Sequence, residues 1–246
     1  MTRSVIGLLA CVLATAPADA QPKPDDVIRK AIDAHGGLEV LKKYPAGTSK
    51  IGGKVSLGGG DLPFTGTLAF AFPGKVRMEM TIESLGQKAS MIQVVNGDKV
   101  RQTENGVASK LDEVVRAELR ESAVIQEITL LYPLLDPARY TLVAEKDAVL
   151  GGKPVAVVVV KSKGLKDARL FFEQKTGLLL GMQRRGLNPA QKAVDEVTLF
   201  ADYKTIDGMV VPMKSKVSHD GKPFLELDVT EYKPLKTVDD KLFAVE

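Results

Sequence analysis

The chain has 246 residues, with 34 Lys and Arg against 31 Asp and Glu and a net charge of +3. Charges of both signs alternate along it, so there is no electrostatic case for a polyanion; aromatics at 5% without tryptophan argue against a base-stacking platform, and no nucleic-acid partner is expected. A hydrophobic content of 44% is ordinary for a folded soluble protein.

At the start, Arg3 is followed by an apolar run from Val5 to Leu13 and by small residues ending Ala18-Asp19-Ala20. A basic start, a short greasy core and an A-x-A end predict a secretory signal peptide cut after Ala20, leaving residues 21–246 as one domain. The run is too short to span a bilayer. Leu8-Leu9-Ala10-Cys11 offers an alternative, a lipoprotein box that would anchor the chain at Cys11. Without lipidation the mature protein contains no cysteine, hence no disulfide and no thiol nucleophile.

Asp25-Asp26 is predicted to cap a helix whose stripe is Val27, Ile28, Ala31 and Ile32, with Gly36-Gly37 as the stop. Leu38 to Lys43 adds a helical turn, and a strand from Ser49 to Leu57 follows. From Phe64 to Glu83 the pattern has a period of two. Phe64, Gly66, Leu68, Phe70 and Phe72 share one side, and Val76, Met78, Met80 and Ile82 continue it after Pro73-Gly74. Thr65, Thr67, Ala69 and Ala71, then Arg77, Glu79 and Thr81, share the wetter side. This predicts a β-hairpin with one apolar face that needs a cover.

Strands are predicted at Lys88–Val95 and Lys99–Glu104 across the Asn96-Gly97 turn. From Asp112 to Tyr132 the apolar spacing is helical, if uneven, with Asp112 as N-cap and Pro133 as boundary. Strands return at Arg139–Glu145, Pro154–Lys161, Ala168–Glu173, Leu178–Arg185, Val194–Tyr203, Met209–Ser218 and Phe224–Tyr232. The unbroken apolar run from Val155 to Val160 predicts a strand covered on both faces. These elements add up to a mainly β (α+β) fold of about eleven antiparallel strands, curved or partly closed to protect its edges.

Catalytic and metal chemistry find no support. His35 sits at a helix end, where a cation suits the dipole, and His219 precedes a hairpin turn expected to be solvated. No metal-binding histidine spacing, nucleophile elbow or phosphate loop is present, so neither a cofactor nor an enzymatic activity is expected.

The run Phe72-Pro73-Gly74-Lys75-Val76-Arg77-Met78-Glu79, with Val95-Asn96-Gly97-Asp98-Lys99, resembles the front half of the LolA/LolB-like family of periplasmic lipoprotein-sorting and lipid-binding proteins. Phe200-Ala201-Asp202-Tyr203-Lys204, Asp207-Gly208-Met209-Val210-Val211-Pro212 and Val238-Asp239-Asp240-Lys241-Leu242-Phe243 resemble its back half. The resemblance implies a single incomplete, strongly curved antiparallel β-barrel with helices on its concave face, located in the periplasm. It implies that lipid or lipoprotein acyl chains bind between sheet and helices, with the Asp112–Tyr132 helix as part of a lid. The implied apolar lining is Phe64, Leu68, Phe70, Phe72, Val76, Met78, Met80 and Ile82 of the hairpin, joined by Met91, Ile125 and Ile128. An envelope protein acting as donor or acceptor, and transient membrane contact, belong to the same expectation. The alternative is a regulatory or assembly module that binds a protein partner through this fold. One departure stands out: the family's carriers place a lid-latching arginine before the proline of the strand-turn motif, and this chain has Phe72.

Overall fold

The computed structural model describes residues 22–57, 59–84 and 86–245. The signal-peptide and Cys11 readings lie outside the described residues. Thirteen strands form one antiparallel sheet: β1 (Ala46–Leu57), β2 (Gly60–Ala71), β3 (Lys75–Ser84), β4 (Gln87–Asn96), β5 (Lys99–Glu104), β6 (Val107–Ala108), β7 (Thr141–Leu150), β8 (Lys153–Lys161), β9 (Ala168–Glu173), β10 (Leu179–Leu187), β11 (Ala193–Ile206), β12 (Met209–His219) and β13 (Lys222–Leu235). Their order is 6-5-4-3-2-1-13-12-11-10-9-8-7. Two meanders therefore meet where β1 pairs with β13, from Ala46 opposite Leu235 to Val55 opposite Leu225. The sheet is not closed, since β6 and β7 are its edges. The count is thirteen against the eleven or so expected; β6 has only two residues, too few for alternation to reveal.

The β2–β3 hairpin has the register its alternation predicts. Phe64 lies opposite Ile82, Leu68 opposite Met78, and Phe70 opposite Val76, and the Phe72–Pro73 peptide is cis. Small residues on its other face, Ala69 and Ala71, leave room for a cover there as well. The fully buried Phe243, in a short 3-10 turn at Asp240–Phe243, fills that room against Ala69 and Val94. Arg77, expected on the wetter face, pairs with Glu79 and also donates to the Leu242 carbonyl. All six residues from Val155 to Val160 are buried, as the unbroken run predicts.

Among the described residues three α-helices occupy the inner side: α1 (Pro24–Ala34), α2 (Leu38–Lys43) and α3 (Glu113–Ile128). Pro24 starts α1, so Asp25 and Asp26 sit in its first turn, where they favour the helix dipole, and make no side-chain cap. Asp112 does cap α3, accepting from the Val115 amide at 2.9 Å. The uneven spacing in α3 has a physical cause, because the helix is buried on more than one side. Ala123 and the half-buried Leu119 pack over Phe70, Val76, Val95 and Val100 of the first meander. Ile125 and Ile128 join α1 and the strands β8–β10 of the second. The helix thus bridges both halves, and no described helix is long and apolar enough to cross a membrane.

Candidate functional site

Position in the fold begins with a close approach at the end of α1. Gly36 has φ +116°, and a Cβ there would lie 2.2 Å from the Gly208 carbonyl oxygen, so only glycine fits. This seats the α1–α2 corner on the β11–β12 turn, where the Val210 amide donates to the His35 carbonyl at 3.0 Å. The corner and the end of α3 roof a cavity of about 210 Å³ over the sheet. Leu41, Gln126, Thr129 and Leu130 contribute from above. Ser49, Leu68, Phe70 and Phe72 come from β1 and β2 and the turn after it. Val229 and Tyr232 of β13, Phe200 and Tyr203 of β11, Leu179 of β10 and the start of β12 complete the wall. No Asp, Glu, Lys or Arg lines it among the described residues.

Three polar side chains of this wall, His35, Tyr203 and Thr129, are fixed by main-chain carbonyls. His35 Nδ1 lies 2.8 Å from the Ala31 carbonyl oxygen; since that oxygen only accepts, Nδ1 carries the proton. Burial lowers the His35 pKa, outweighing the carbonyl contact that raises it. The imidazole is therefore a neutral, buried group rather than the helix-end cation its position predicts. Its ring meets Tyr203 edge-on with centroids 5.7 Å apart. Tyr203 donates its hydroxyl proton to the Leu179 carbonyl, and burial raises its pKa. Thr129 donates to the Gln126 carbonyl at 2.7 Å. Tyr232 is pushed up to about 12 by burial.

A larger hollow of about 450 Å³ lies elsewhere, against Leu134, Pro137, Tyr140 and Leu142 with the charges of Asp25 and Arg29 in its wall. It is the more open of the two; the smaller one, apolar and lying between sheet and helices, is the better ligand site.

Beside the cavity, α3 is tied to the sheet by buried charge. Arg184 of β10 reaches Glu118 and Glu196, each at 2.7 Å, and donates to Ser122 at 3.2 Å. Lys166 adds contacts of 3.2 Å to Glu118 and 3.0 Å to Glu121. Glu196 also meets His219 Nε2 at 3.3 Å, and the His219 ring stacks on Phe224 at 4.0 Å. The solvated role predicted for His219 is thus corrected: β11 and the Phe224 ring enclose it. Three of these residues come from one helix, four from separate strands and Lys166 from the loop between β8 and β9, a grouping that no local spacing reveals.

Of the sequence-predicted lining residues, Leu68, Phe70 and Phe72 line the cavity, Phe70 and Phe72 stacking at 5.0 Å. Val76 packs beneath α3. Phe64, Met78, Met80 and Ile82 pack at the far end of the hairpin with Leu225, Leu227 and Val229 of β13. Ile125 and Ile128 belong to the core under α1, and Met91 is half-buried opposite Met80 on β4. Sequence reasoning missed His35, Ser49, Tyr203 and Tyr232 as wall residues. The tyrosines near the ends of otherwise alternating strands were the available signal, because a buried tyrosine must bring its hydroxyl to a polar partner or a hollow.

An incomplete antiparallel barrel, with helices across its inner side and an apolar hollow between the layers, defines a half-barrel of the hydrophobic-cavity class. Comparison with family models and with curated proteins gives no match. Among solved structures the chain is similar to a LolA superfamily protein from Nitrosomonas europaea, with 9% identity and a TM-score of 0.60 over 90% of this chain and 97% of that one. It is also similar to a DUF1329 family protein from Desulfovibrio piger, with 10% identity and a TM-score of 0.59 over 92% and 98%. A putative outer membrane lipoprotein-sorting protein domain from Vibrio parahaemolyticus matches at 7% identity and a TM-score of 0.51, over 89% and 94%. The chain has the LolA-like fold, carried by a strongly divergent sequence.

Proposed function

We propose that this protein is an exported, non-catalytic binder or carrier of a hydrophobic ligand, an acyl chain or similar apolar body, held between the sheet and α3. The observation that carries the reading is the uncharged hollow whose walls come from both meanders and whose roof is the α1–α2 corner and the end of α3. Its size shapes the proposal. At about 210 Å³ it falls below the roughly 300–1,000 Å³ of pockets that enclose drug-sized ligands. One chain or a compact apolar molecule suits it, whereas several acyl chains require α3 to lift. Phe72, on the wall where the resemblance places an arginine, offers ring surface to the ligand and no hydrogen bond to the lid. The Arg184 cluster supports a lid held in another way.

Each methylene taken from water contributes about 0.8 kcal/mol. A micromolar Kd corresponds to about −8 kcal/mol, which takes on the order of ten buried methylenes before the costs of association. Affinity therefore climbs with chain length until the cavity is full. The test is titration of residues 21–246 with a fluorescent fatty-acid analogue, alongside native mass spectrometry of protein taken from the periplasm. Saturable binding and a co-purified lipid are expected. Absence of both would sink the reading.

A further inference from the structure

The hydrogen bonds around the cavity say which polar end a ligand can carry there. Three wall residues have spent their protons on the main chain: His35 on Ala31, Tyr203 on Leu179 and Thr129 on Gln126. What remains on them is accepting capacity, above all the His35 Nε2 lone pair, which has no protein partner among the described residues. His35 is almost wholly buried, and burial keeps it neutral. Three other wall residues keep free donors. The hydroxyls of Tyr232 and Ser49 and the carboxamide of Gln126 make no side-chain hydrogen bond among the described residues.

A wall with an open acceptor, uncommitted hydroxyls and no charge suits a group that both donates and accepts. A carboxylate only accepts; it would face the His35 lone pair without a cation to offset its desolvation. A plain hydrocarbon end leaves the imidazole and hydroxyls unpaired in an apolar hollow, at a cost for each. A hydroxyl gives its proton to one side and takes one from the other.

We propose that the cavity selects a neutral amphiphile whose polar end is a hydroxyl group over a carboxylate or a capped chain of the same length. This rests on the cavity being the ligand site, and the experiment separates the two ideas. Residues 21–246 at pH 7.5, loaded with the fluorescent fatty-acid analogue, are titrated with 1-dodecanol, dodecanoate and dodecyl methyl ether, the last of which accepts and cannot donate. Dodecanol displaces the probe at a concentration about tenfold lower than either competitor. In a parallel measurement on unmodified sequence, the ¹⁵N resonance of His35 Nε2 moves on adding dodecanol and not on adding the ether. The chain has only two histidines, so the spectrum is simple. His35→Phe removes the preference for the alcohol, read as the ratio of the displacing concentrations of the three competitors; the NMR arm decides the matter should that variant not fold or not hold the probe. If dodecanoate or the ether competes as well as dodecanol, or the His35 resonance stays still, the hydroxyl preference is overturned and the apolar binder stands. If neither the probe nor any of the three binds, the proposed function itself falls.

Discussion

Replacing Arg184 by methionine keeps the length and apolar stem of the side chain and deletes its charge. The guanidinium is 6% exposed and holds Glu118 and Glu196, themselves only 12% and 16% exposed, each at 2.7 Å. Without it, Glu196 on β11 loses its guanidinium partner and Glu118 on α3 keeps only Lys166 at 3.2 Å, with little water to screen either carboxylate. Removing one partner of a buried pair costs about 3–5 kcal/mol, because the uncompensated charge stays behind. Against a total stability of about 5–15 kcal/mol that is a large share. At about 2–4 °C per kcal/mol for a chain of this size, the melting temperature should fall by roughly 6–20 °C. Thermal and urea unfolding followed by circular dichroism measure this, and Arg185→Met is the control. Arg185 is the next residue on the same strand, yet its pair with Asp195 is more than half exposed on both sides. Its loss should fall within the scatter of the measurement. Combining Arg184→Met with Glu196→Gln should recover part of the deficit, since the second change removes one stranded charge. A loss below about 1 kcal/mol, or strict additivity of the two changes, would refute the idea that this cluster clamps α3.

Four further outcomes follow from the same geometry. Gly66→Ala should destabilise by about 1–3 kcal/mol, because the new Cβ would meet the Glu79 carbonyl oxygen at 2.1 Å, whereas Gly52→Ala, with its nearest atom at 3.4 Å, should be close to neutral in the same denaturation assay. Phe243→Ala should cost about 3–5 kcal/mol by emptying the contact with Ala69 and Val94, and limited proteolysis should then remove the C-terminal residues early. Phe72→Trp places a fluorophore in a chain that has no tryptophan, and its emission should shift to shorter wavelength as an apolar ligand fills the cavity. His35 has a folded-state pKa below its ordinary 6.5, so the unfolded chain takes up the proton first as pH falls. Its contribution to stability is complete above about pH 6.5 and declines below it, and unfolding measured from pH 7.5 to 5 should show that slope flattened in His35→Gln.

Much of the fold was legible because an antiparallel strand writes its face into alternate residues. The partners Phe64–Ile82 and Phe70–Val76 could be named from periodicity and the Pro73-Gly74 turn alone. Glycine turns at 96–97, 207–208 and 220–221 marked further hairpins for the same local reason. The pairing of β1 with β13 was not legible, since contacts such as Ser49–Tyr232 join residues far apart in sequence without a turn between them. That pairing decided what covers the hairpin. Phe64 and Met80 are closed over by Leu225 and Leu227 from the other end of the chain, leaving Leu68, Phe70 and Phe72 on the hollow. His219 looked solvated because its turn is polar; Phe224, five residues on, folds back over it. In α3 the buried acids Glu121 and Glu127 blurred the helical stripe, since each is buried with a cationic partner, Lys166 and Arg139.

The seam between β1 and β13 also sets an order of events. Ser49 and Tyr232 stand on opposite sides of it, and both line the cavity. A chain emerging from its N-terminus can zip β1 to β5 by successive hairpins, but the hollow gains its second wall only when the last strand arrives. Under the proposed function, cargo would meet either a finished binder or none, and a chain cut short before β13 would be blind to a ligand however well its first meander had formed.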